Sequence, residues 1–476
     1  MTVVLPEIES PAGGQAKTTA WLELLKRHRL FAVVMFAAAA LRVLTMLSLR
    51  PAELYWYDSF EYLKFALDPI PIRELHPGGY GLFLWALKPF HSITLVVALQ
   101  HVMGLAVGLL VYAVLRRRSV HVWVAVLATI PALFDVELLH LEHAVLSDAP
   151  FTFLMVAAVA VLLWSPTISW RAGAAAGFLF ALAALARTLA LPVLILVLGW
   201  MAVRRVGLRP LIAATVAAAI PLVMYAGWYS SEYGQFKLVG GDGAALWART
   251  RTFANCAVIK PPADEARLCP DGIQEDTASE YFWAGEINRP PFRAANEELA
   301  RSFAIHAILA QPLDYLHDVV HDVSLSFAWP AVAHPKRLLP VYYFDETEPP
   351  SSNQPDARKI VMAYDPGWPD RHMVRPYSSF LMAYRVHLPG PLLGLILLAG
   401  AVGLFRRGRA PGARRNVLLA WGVAVTLLVF PVAVLDFDHR YVMPVLPFAC
   451  LAAALAFSRP ARAPGPENPA PVPTAQ

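Results

Sequence analysis

The sequence predicts an all-α polytopic membrane protein of about ten transmembrane helices, with an extracytoplasmic domain inserted before the last three. Of the 476 residues, 57% are hydrophobic and only 16% are charged, whereas soluble proteins have about 25% charged residues. Long apolar runs recur along most of the chain, and short clusters of arginine separate them, as in membrane proteins whose loop charges set the orientation. The net charge of +5 therefore indicates a lipid bilayer as partner and no nucleic acid.

The N-terminal module is predicted over residues 21–228, after a disordered cytoplasmic tail at 1–20. Lys26, Arg27 and Arg29 precede the first apolar run, 30–49, which has the ~20 residues that a helix needs to cross ~30 Å of hydrocarbon. These cations put the N-terminus in the cytoplasm. Residues 50–90 then form an outer loop with two short interfacial helices near 58–67 and 77–88.

The remaining spans follow from the same pattern of apolar runs and basic clusters. In the N-terminal module they are 92–115, 120–134, 150–164, 172–186, 190–203 and 211–228. The last three, in a C-terminal module at 388–457, are 388–405, 417–435 and 441–457. Under strict alternation every arginine cluster falls on the cytoplasmic side, which makes the topology internally consistent. The tail at 458–476 is rich in proline and alanine and is predicted to be disordered.

A polar segment, 229–387, separates the two membrane modules and is predicted to form an extracytoplasmic domain. Pro312 opens an amphipathic helix, with an apolar face made by Leu313, Leu316, Val320, Val323 and Phe327. Cys256 and Cys269 lie in this segment, on the oxidising side of the membrane, where disulfides form. We predict a bond between them, worth about 3 kcal/mol in the loop-entropy description.

The most informative stretch is the aromatic segment Tyr55-Trp-Tyr-Asp-Ser-Phe-Glu-Tyr62, directly after the first span. Its aromatic residues are typical of a membrane–water boundary. At helical spacing Asp58 and Glu61 share one face, which predicts a partly desolvated acidic site with Asp58 as a catalytic candidate. The alternative is a capping box, with Asp58 as N-cap and Glu61 three residues later.

The other candidate residues also fall in outer loops. They are His76, Glu142, His143, Asp148, Arg187, Asp436, Asp438, His439, Arg440 and Tyr441, together with Arg42 in the outer half of the first span. The middles of the spans carry almost no ionisable groups, with His101 as an exception, which argues against a transporter because transporters place such groups at mid-depth.

These residue types indicate group transfer from a lipid phosphate. A carboxylate can act as a general base, and the guanidinium fork of arginine matches phosphate oxygens. Each residue also has a structural alternative. Arg187 and Arg440 could be membrane anchors, His143 a plain loop histidine and Asp148 an N-cap. A divalent cation bound by Glu142, His143, Asp148 and Asp58 is a further alternative, although the spacing matches no standard metal motif.

The order of these motifs resembles the GT-C superfamily of polytopic glycosyltransferases, which includes protein O-mannosyltransferases, aminoarabinose transferases and actinobacterial arabinosyl- and mannosyltransferases. The resemblance is carried by Tyr57-Asp58-Ser-Phe-Glu61, His76-Pro-Gly-Gly-Tyr80, Leu146-Ser-Asp148-Ala-Pro-Phe151, Ala186-Arg187-Thr188 and His439-Arg440-Tyr441-Val-Met-Pro444. It covers the membrane modules, about two thirds of the chain. Ser59 stands where the mannosyltransferases commonly have a glutamate, and segment 229–387 resembles no known domain.

The resemblance implies a membrane glycosyltransferase with a polyprenyl-phosphate sugar as donor and a glycan, lipid or protein as acceptor. Asp58 would be the general base, and the substrate-binding set would be Arg42, Glu61, His76, His143, Asp148, Arg187, His439, Arg440 and Tyr441. Such an enzyme is expected in a bacterial plasma membrane, with its active site on the extracytoplasmic face. The alternatives are a transporter or flippase of lipid-linked sugars and a non-catalytic partner that presents substrate.

Overall fold

The protein is almost entirely helical. A computed structural model describes residues 13–72, 76–270, 277–284, 296–336, 339–346, 356–405 and 412–458. The N-terminal half contains α1 (Gly13–Ser48), β1 (Leu49–Arg50), α2 (Trp56–Leu67), α3 (Gly79–Leu87), α4 (Ile93–Arg117), α5 (Val122–Leu127), α6 (Ile130–Phe134), α7 (Val136–His143), α8 (Asp148–Trp164), α9 (Trp170–Ala186), α10 (Ala190–Val203) and α11 (Leu208–Tyr233).

The second half begins with a group of short helices and returns to apolar ones. It contains α12 (Asp242–Thr250), α13 (Cys256–Ile259), α14 (Ala278–Ala284), α15 (Glu297–Ala310), α16 (Pro312–Leu325), α17 (Ala357–Tyr364), β2 (His372–Met373), α18 (Tyr377–Ala383), α19 (Gly390–Phe405), α20 (Ala413–Val434), α21 (His439–Val442) and α22 (Val445–Leu455). Short 3-10 turns lie at Lys88–Phe90 and Ala266–Leu268.

Four helical stretches of the described chain are long and apolar enough to cross a membrane: His28–Ser48, Ile93–Arg117, Leu208–Tyr233 and Ala413–Val434. A fifth candidate is the pair Val122–Phe134 and Val136–His143, which is bent by 51°. Shorter apolar helices lie at Asp148–Trp164, Trp170–Ala186, Ala190–Val203, Gly390–Phe405 and His439–Leu455. Each of the ten apolar runs of the sequence thus corresponds to a helix or bent helix pair, but a count of ten spans remains a prediction.

The structure differs from the sequence predictions in two places. The loop expected at 135–148 is mostly the helix α7, because Asp135 caps it by accepting a hydrogen bond from the Glu137 backbone N–H at 2.9 Å. The first helix begins at Gly13, inside the predicted tail 1–20, and has a kink at His28. Residues 1–12, the cluster 406–409 and the tail from 459 lie outside the described residues.

Small residues allow the membrane helices to pack closely. A Cβ atom on Gly177 of α9 would lie 2.1 Å from the carbonyl oxygen of Ala214 on α11, and one on Gly173 would lie 2.4 Å from that of Pro210. Glycine at both positions therefore lets the two backbones touch, as expected for helix pairs in lipid, where close packing replaces the hydrophobic effect.

Backbone pairing joins the two loops that carry the acidic candidates. The Glu53 N–H donates to the His143 carbonyl at 3.0 Å, and the Val145 N–H donates back to the Glu53 carbonyl at 3.0 Å. Ser59 reinforces this pairing, since its hydroxyl donates to the Val145 carbonyl at 2.9 Å. The segment before α2 and the segment before α8 are therefore held side by side.

The polar segment 229–387 also contacts the membrane modules. Strand β2 pairs antiparallel with β1, with Leu49 opposite Met373. Helix α16 packs against α20, and Tyr315 donates a hydrogen bond to the Ala433 carbonyl at 2.9 Å. Cys256 and Cys269 form a disulfide, with their Cα atoms 6.0 Å apart. The placement of segment 229–387 as a domain inserted on the outer side of the membrane remains a prediction.

Candidate active site

Asp58 lies in the first turn of α2 and points toward Arg440 and His76. Its Oδ2 accepts a hydrogen bond from Arg440 Nη1 at 2.9 Å, and its Oδ1 lies 3.3 Å from His76 Nε2. The N-cap of α2 is Tyr55, and no side chain caps this helix end. The capping-box alternative is therefore wrong for Asp58, and its carboxylate is used for tertiary contacts.

Asp148, the first residue of α8, is the centre of the arrangement. Arg440 donates to it from Nε, at 3.2 and 3.0 Å from the two carboxylate oxygens, and from Nη2 at 2.8 Å. Arg187, just after α9, donates to Asp148 Oδ1 from Nη1. The N-cap position of α8 belongs to Ser147, so the N-cap alternative for Asp148 is also wrong.

Aromatic rings and a helix cap orient the two arginines. The Arg440 guanidinium carbon lies 5.0 Å from the centre of the Tyr55 ring, and that of Arg187 lies 5.4 Å from the centre of the Tyr441 ring, both within cation–π range. Asp438 caps the short helix α21 by accepting from the Arg440 backbone N–H at 2.9 Å. We call Asp58, His76, Asp148, Arg187 and Arg440 the carboxylate–arginine cluster.

Charge balance explains why this cluster is stable although it is buried. Two carboxylates face two guanidiniums, which is how buried charges avoid an uncompensated cost. Burial alone would raise the pKa of the Asp58 carboxyl, but His76 and Arg440 beside it outweigh burial and hold that pKa well below its usual range. Asp58 is therefore a carboxylate at neutral pH, and its proton affinity depends on how closely Arg440 holds it.

An apolar cleft begins at the cluster. Asp148 of the cluster and Glu142 are the charged residues of its lining. Most of the wall is apolar and comes from α4, α6, α7 and the segment after Arg440, with Val107, Ala132, Leu138, Leu141, Met443 and Pro447. A ligand with a charged head and an apolar tail therefore fits the chemistry of both parts.

Four of the residues selected from sequence lie elsewhere. Glu61 is partly exposed and pairs with Lys64 at 3.3 Å, so its carboxylate lies outside the contacts around Asp58. His439 bonds the Val332 carbonyl through Nε2 at 2.9 Å, so it contacts segment 229–387. Arg42 and His143 belong to a separate group of contacts. None of these four belongs to the group of contacts around Asp58, and their contact with the same ligand as Asp58 stays a prediction.

That separate group is a buried network of Arg42, His101, Glu142 and His143. Arg42 donates to both Glu142 oxygens, at 2.8 and 2.7 Å, and to the Leu133 carbonyl at 2.9 Å. His101 lies between Glu142, at 2.9 Å, and His143, at 3.0 Å. Each of the four side chains is at most 3% exposed. Arg42, in the outer half of the first predicted span, thus has its partners on α6 and α7. The expectation that the middles of the spans hold almost no ionisable groups stays a prediction.

The residues proposed from sequence for a divalent cation do not converge, since Glu142 and His143 are in the buried network and Asp58 and Asp148 bind arginines. Among the described residues, one group has ligand atoms close enough to share an ion: Asp322, His334 and Asp436. Its carboxylates already have cationic or hydrogen-bonding neighbours, since Arg249 pairs with Asp322 and His334 Nε2 lies 3.0 Å from Asp436 Oδ1. The group is explained without an ion.

Sequence reasoning missed the contribution of residues that hold the cluster in place. Asp438 was noted only as a charge, although an aspartate two residues before Arg440 is a common N-cap spacing. Tyr62 was noted only as an interfacial aromatic, yet its hydroxyl lies 3.1 Å from that of Ser147 and its ring lies 5.4 Å from that of His76. No sequence signal indicates the latter contacts.

No family model matches the chain, and no curated protein matches it. Among solved structures it is similar to the S. cerevisiae protein O-mannosyltransferase complex bound to the sugar donor, with 16% identity over 48% of this chain and 36% of that chain and a TM-score of 0.35.

Two further similarities cover more of the chain. The archaeal oligosaccharyltransferase AglB from Archaeoglobus fulgidus, in complex with an inhibitory peptide and a dolichol-phosphate, has 12% identity over 91% of this chain and 50% of that chain, with a TM-score of 0.42. ArnT from Cupriavidus metallidurans, bound to undecaprenyl phosphate, has 14% identity over 90% and 78%, with a TM-score of 0.34. The chain thus spans about half or less of the length of the first two proteins.

Proposed function

We propose that the protein is a membrane glycosyltransferase that moves a sugar from a polyprenyl-phosphate donor to an acceptor hydroxyl, with inversion. The observation that supports this most is the convergence of two carboxylates and two arginines, from four separate parts of the chain, at the end of an apolar cleft. The arginines suit the donor phosphate, and the cleft suits the first isoprene units of its tail.

In the proposed reaction Asp58 accepts the proton of the acceptor hydroxyl. The hydroxyl oxygen then forms a bond to the anomeric carbon, and the bond from that carbon to the phosphate oxygen breaks. The leaving polyprenyl phosphate keeps the electron pair, and Arg187 and Arg440 stabilise its added negative charge. Because attack and departure occur on opposite faces, the anomeric configuration inverts.

Arg440 links donor binding to the basicity of Asp58. Its guanidinium binds Asp58 and Asp148 at once. A donor phosphate would compete with Asp58 for this guanidinium. The loss of that pairing would raise the pKa of Asp58 toward a range useful for a base. The enzyme would therefore be a better base with its donor bound than without it.

Segment 229–387 borders this site and is proposed to cover it and to select the acceptor. Tyr342 accepts a hydrogen bond from Tyr55 at 2.7 Å, and Tyr55 in turn lies against Arg440. Following the sequence prediction, we place the site on the extracytoplasmic face of a bacterial plasma membrane, in a chain with about ten spans.

One observation favours a different function, a transporter or flippase of lipid-linked sugars. Arg42 and His101 lie within candidate spans, and charged groups there often mark transport pathways. The buried network, however, has paired its charges internally, and it borders the same cleft only through Glu142. We therefore treat transport as the second candidate.

Purified protein in lipid nanodiscs, incubated with a polyprenyl-phosphate sugar and a hydroxyl acceptor, distinguishes the two functions. A transferase releases polyprenyl phosphate, and the Asp58→Asn variant does not. A flippase moves intact donor between the leaflets of sealed vesicles and releases none. Adding a chelator to the same assay tests the need for a divalent cation, for which the sequence offers weak support.

A further inference from the structure

Helix α16 carries an exposed apolar strip that the proposed reaction does not use. Leu313, Leu316 and Val320 are 77%, 55% and 60% exposed, and their spacing of three and four residues places them along one side of the helix. The strip continues onto the end of α15, where Leu309 is 73% exposed. Contiguous apolar surface of this kind marks a contact with another protein or a membrane.

A polar strip runs beside the apolar one on the same exposed side. It contains Asp314, His317 and His321, which are all exposed. The opposite side of the helix is covered by the protein, with Val319 and Asp322 buried. The outer surface of α16 is thus divided lengthwise into an apolar and a polar half, which is the pattern of a helix that lies in the plane of a bilayer surface.

The position of α16 relative to the apolar helices agrees with this pattern. Tyr315 bonds the carbonyl of Ala433, one residue before the end of α20, which is long and apolar enough to span. Beyond the other end of α16, Phe327 packs on Gly394 near the start of α19. The helix therefore lies across the ends of two apolar helices, where a span meets water.

The apolar helix that Phe327 contacts also exposes side chains that a membrane would cover. Helix α19 exposes Leu395 and Leu398, at 61% and 58%, which is expected if lipid surrounds it. A helix at the edge of that surface, with its apolar half outward, extends the lipid-contacting area beyond the spans. A second copy of the chain could also cover the strip, but it would not explain the neighbouring polar half, which suits headgroups and water.

We propose that α16 is an interfacial helix whose strip of Leu309, Leu313, Leu316 and Val320 lies in the lipid bilayer at the headgroup boundary. It would hold segment 229–387 against the membrane. The buried side of α16 lies close to the segment just before α21, which carries Arg440, because Asp322 lies near His334 and Asp436. The inference rests on the membrane location of α20 and does not depend on the transferase activity.

Fluorescence quenching of the full-length chain in nanodiscs tests the proposal. Leu316→Cys is labelled with bimane under non-reducing conditions, in a Cys450→Ala background, so that the disulfide stays intact. Asp314→Cys, on the same helix turn but in the polar strip, is the matched control. Lipids with a nitroxide near the headgroup, lipids with a nitroxide near the chain end, and aqueous iodide are compared as quenchers, with one protein copy per disc.

We expect the label at 316 to lose more emission to the headgroup-proximal nitroxide than to the other two quenchers. The label at 314 should lose more to iodide. Equal quenching of both labels by iodide would overturn the proposal. So would shielding of position 316 that appears only in discs with two copies, since that would identify a second copy as the occupant. If Leu316→Cys fails to fold, Val320→Cys carries the same expectation.

Discussion

The carboxylate–arginine cluster and the buried network use the same residue types to different ends. Arg42 in the buried network makes two hydrogen bonds to Glu142 and further hydrogen bonds to the Leu133 and Ala38 carbonyls. Few of its N–H donors therefore remain for a ligand. The side chain of Arg187 in the cluster has Asp148 as its one hydrogen-bond partner among the described residues, and it is 14% exposed. Spare donors and access distinguish a binding arginine from a structural one.

The acids differ in the same way. Glu142 lies so close to α4 that a Cβ atom on Gly104 would be 1.9 Å from its Oε1. Asp58 instead sits between His76 and Arg440 with a side chain that is 15% exposed. A group that must accept a proton from substrate needs such access. Substitutions in the cluster should therefore change kinetics, and substitutions in the buried network should change stability.

The largest effect is expected for Asp58→Asn. Asparagine keeps the size of the side chain and can still accept a hydrogen bond from Arg440, but it cannot take the acceptor proton. General-base catalysis typically contributes roughly 10²–10⁴-fold, so kcat should fall by that factor. Donor binding should not weaken, because the donor phosphate no longer competes with a charged Asp58 for Arg440. Release of polyprenyl phosphate at saturating donor measures this.

Glu61→Gln is the matched control, because Glu61 lies one helical turn away and pairs only with the exposed Lys64 among the described residues. It should retain wild-type turnover. If Asp58→Asn also turned over at a near wild-type rate, the general base would have to be another residue, and Asp148 would be the next to test.

Glu142→Gln should act on stability. It leaves the Arg42 guanidinium buried without its counter-charge, which typically costs about 3–5 kcal/mol. The double variant Arg42→Met with Glu142→Leu removes both charges and should be less destabilised than either single variant. Unfolding in mixed micelles measures the free energies. A higher donor KM in folded Glu142→Gln, with stability unchanged, would contradict the assignment of Glu142 to structure.

Arg187→Ala should act on donor binding. Asp148 keeps its bonds from Arg440, so folding should survive, but the donor phosphate loses one cation. A hydrogen bond to a charged group contributes about 1.5–3 kcal/mol, so donor KM should rise by roughly 10–150-fold, with partial rescue by lysine.

Arg171→Ala offers a matched control for that measurement. Arg171 lies near the other end of α9 and stacks on Trp170 at 5.4 Å, the same distance that separates Arg187 from the Tyr441 ring. If both variants shifted KM equally, or if neither did, Arg187 would be a membrane anchor and the phosphate would bind elsewhere.

These two regions also show what the sequence can and cannot predict. The positions of the long helices could be predicted from the apolar runs, because a helix needs about 20 apolar residues to cross a membrane. Candidate residues at loop ends, such as Asp148 and Arg187, were selected because charge is expensive inside lipid. The direction of a side chain cannot be predicted in this way. Whether Glu61 faces Asp58 or Lys64 depends on how α2 is rotated about its axis, and tertiary packing sets that rotation.

Ion pairs between residues far apart in sequence could not be predicted either. Arg42, in the outer half of the first span, was placed in the substrate-binding set, whereas Glu142, 100 residues later, neutralises it. The run around Leu138, which mixes leucines with acidic and histidine residues, gave no signal that α7 would bring this acid inward. A short amphipathic segment in a loop and a helix that bends back look alike in sequence.

The smallest effect is expected for Gly104→Ala. The added methyl group would collide with the Glu142 carboxylate and push it away from Arg42 and His101, and overpacking of this kind costs about 1–3 kcal/mol. Gly227→Ala is the matched control, since a Cβ atom at Gly227 on α11 has no atom within 4 Å and alanine there should stabilise the helix slightly. Unfolding of both variants in mixed micelles gives the difference. If Gly104→Ala were as stable as Gly227→Ala, Glu142 would have room to move. The buried network would then be open to ligands, as the carboxylate–arginine cluster is.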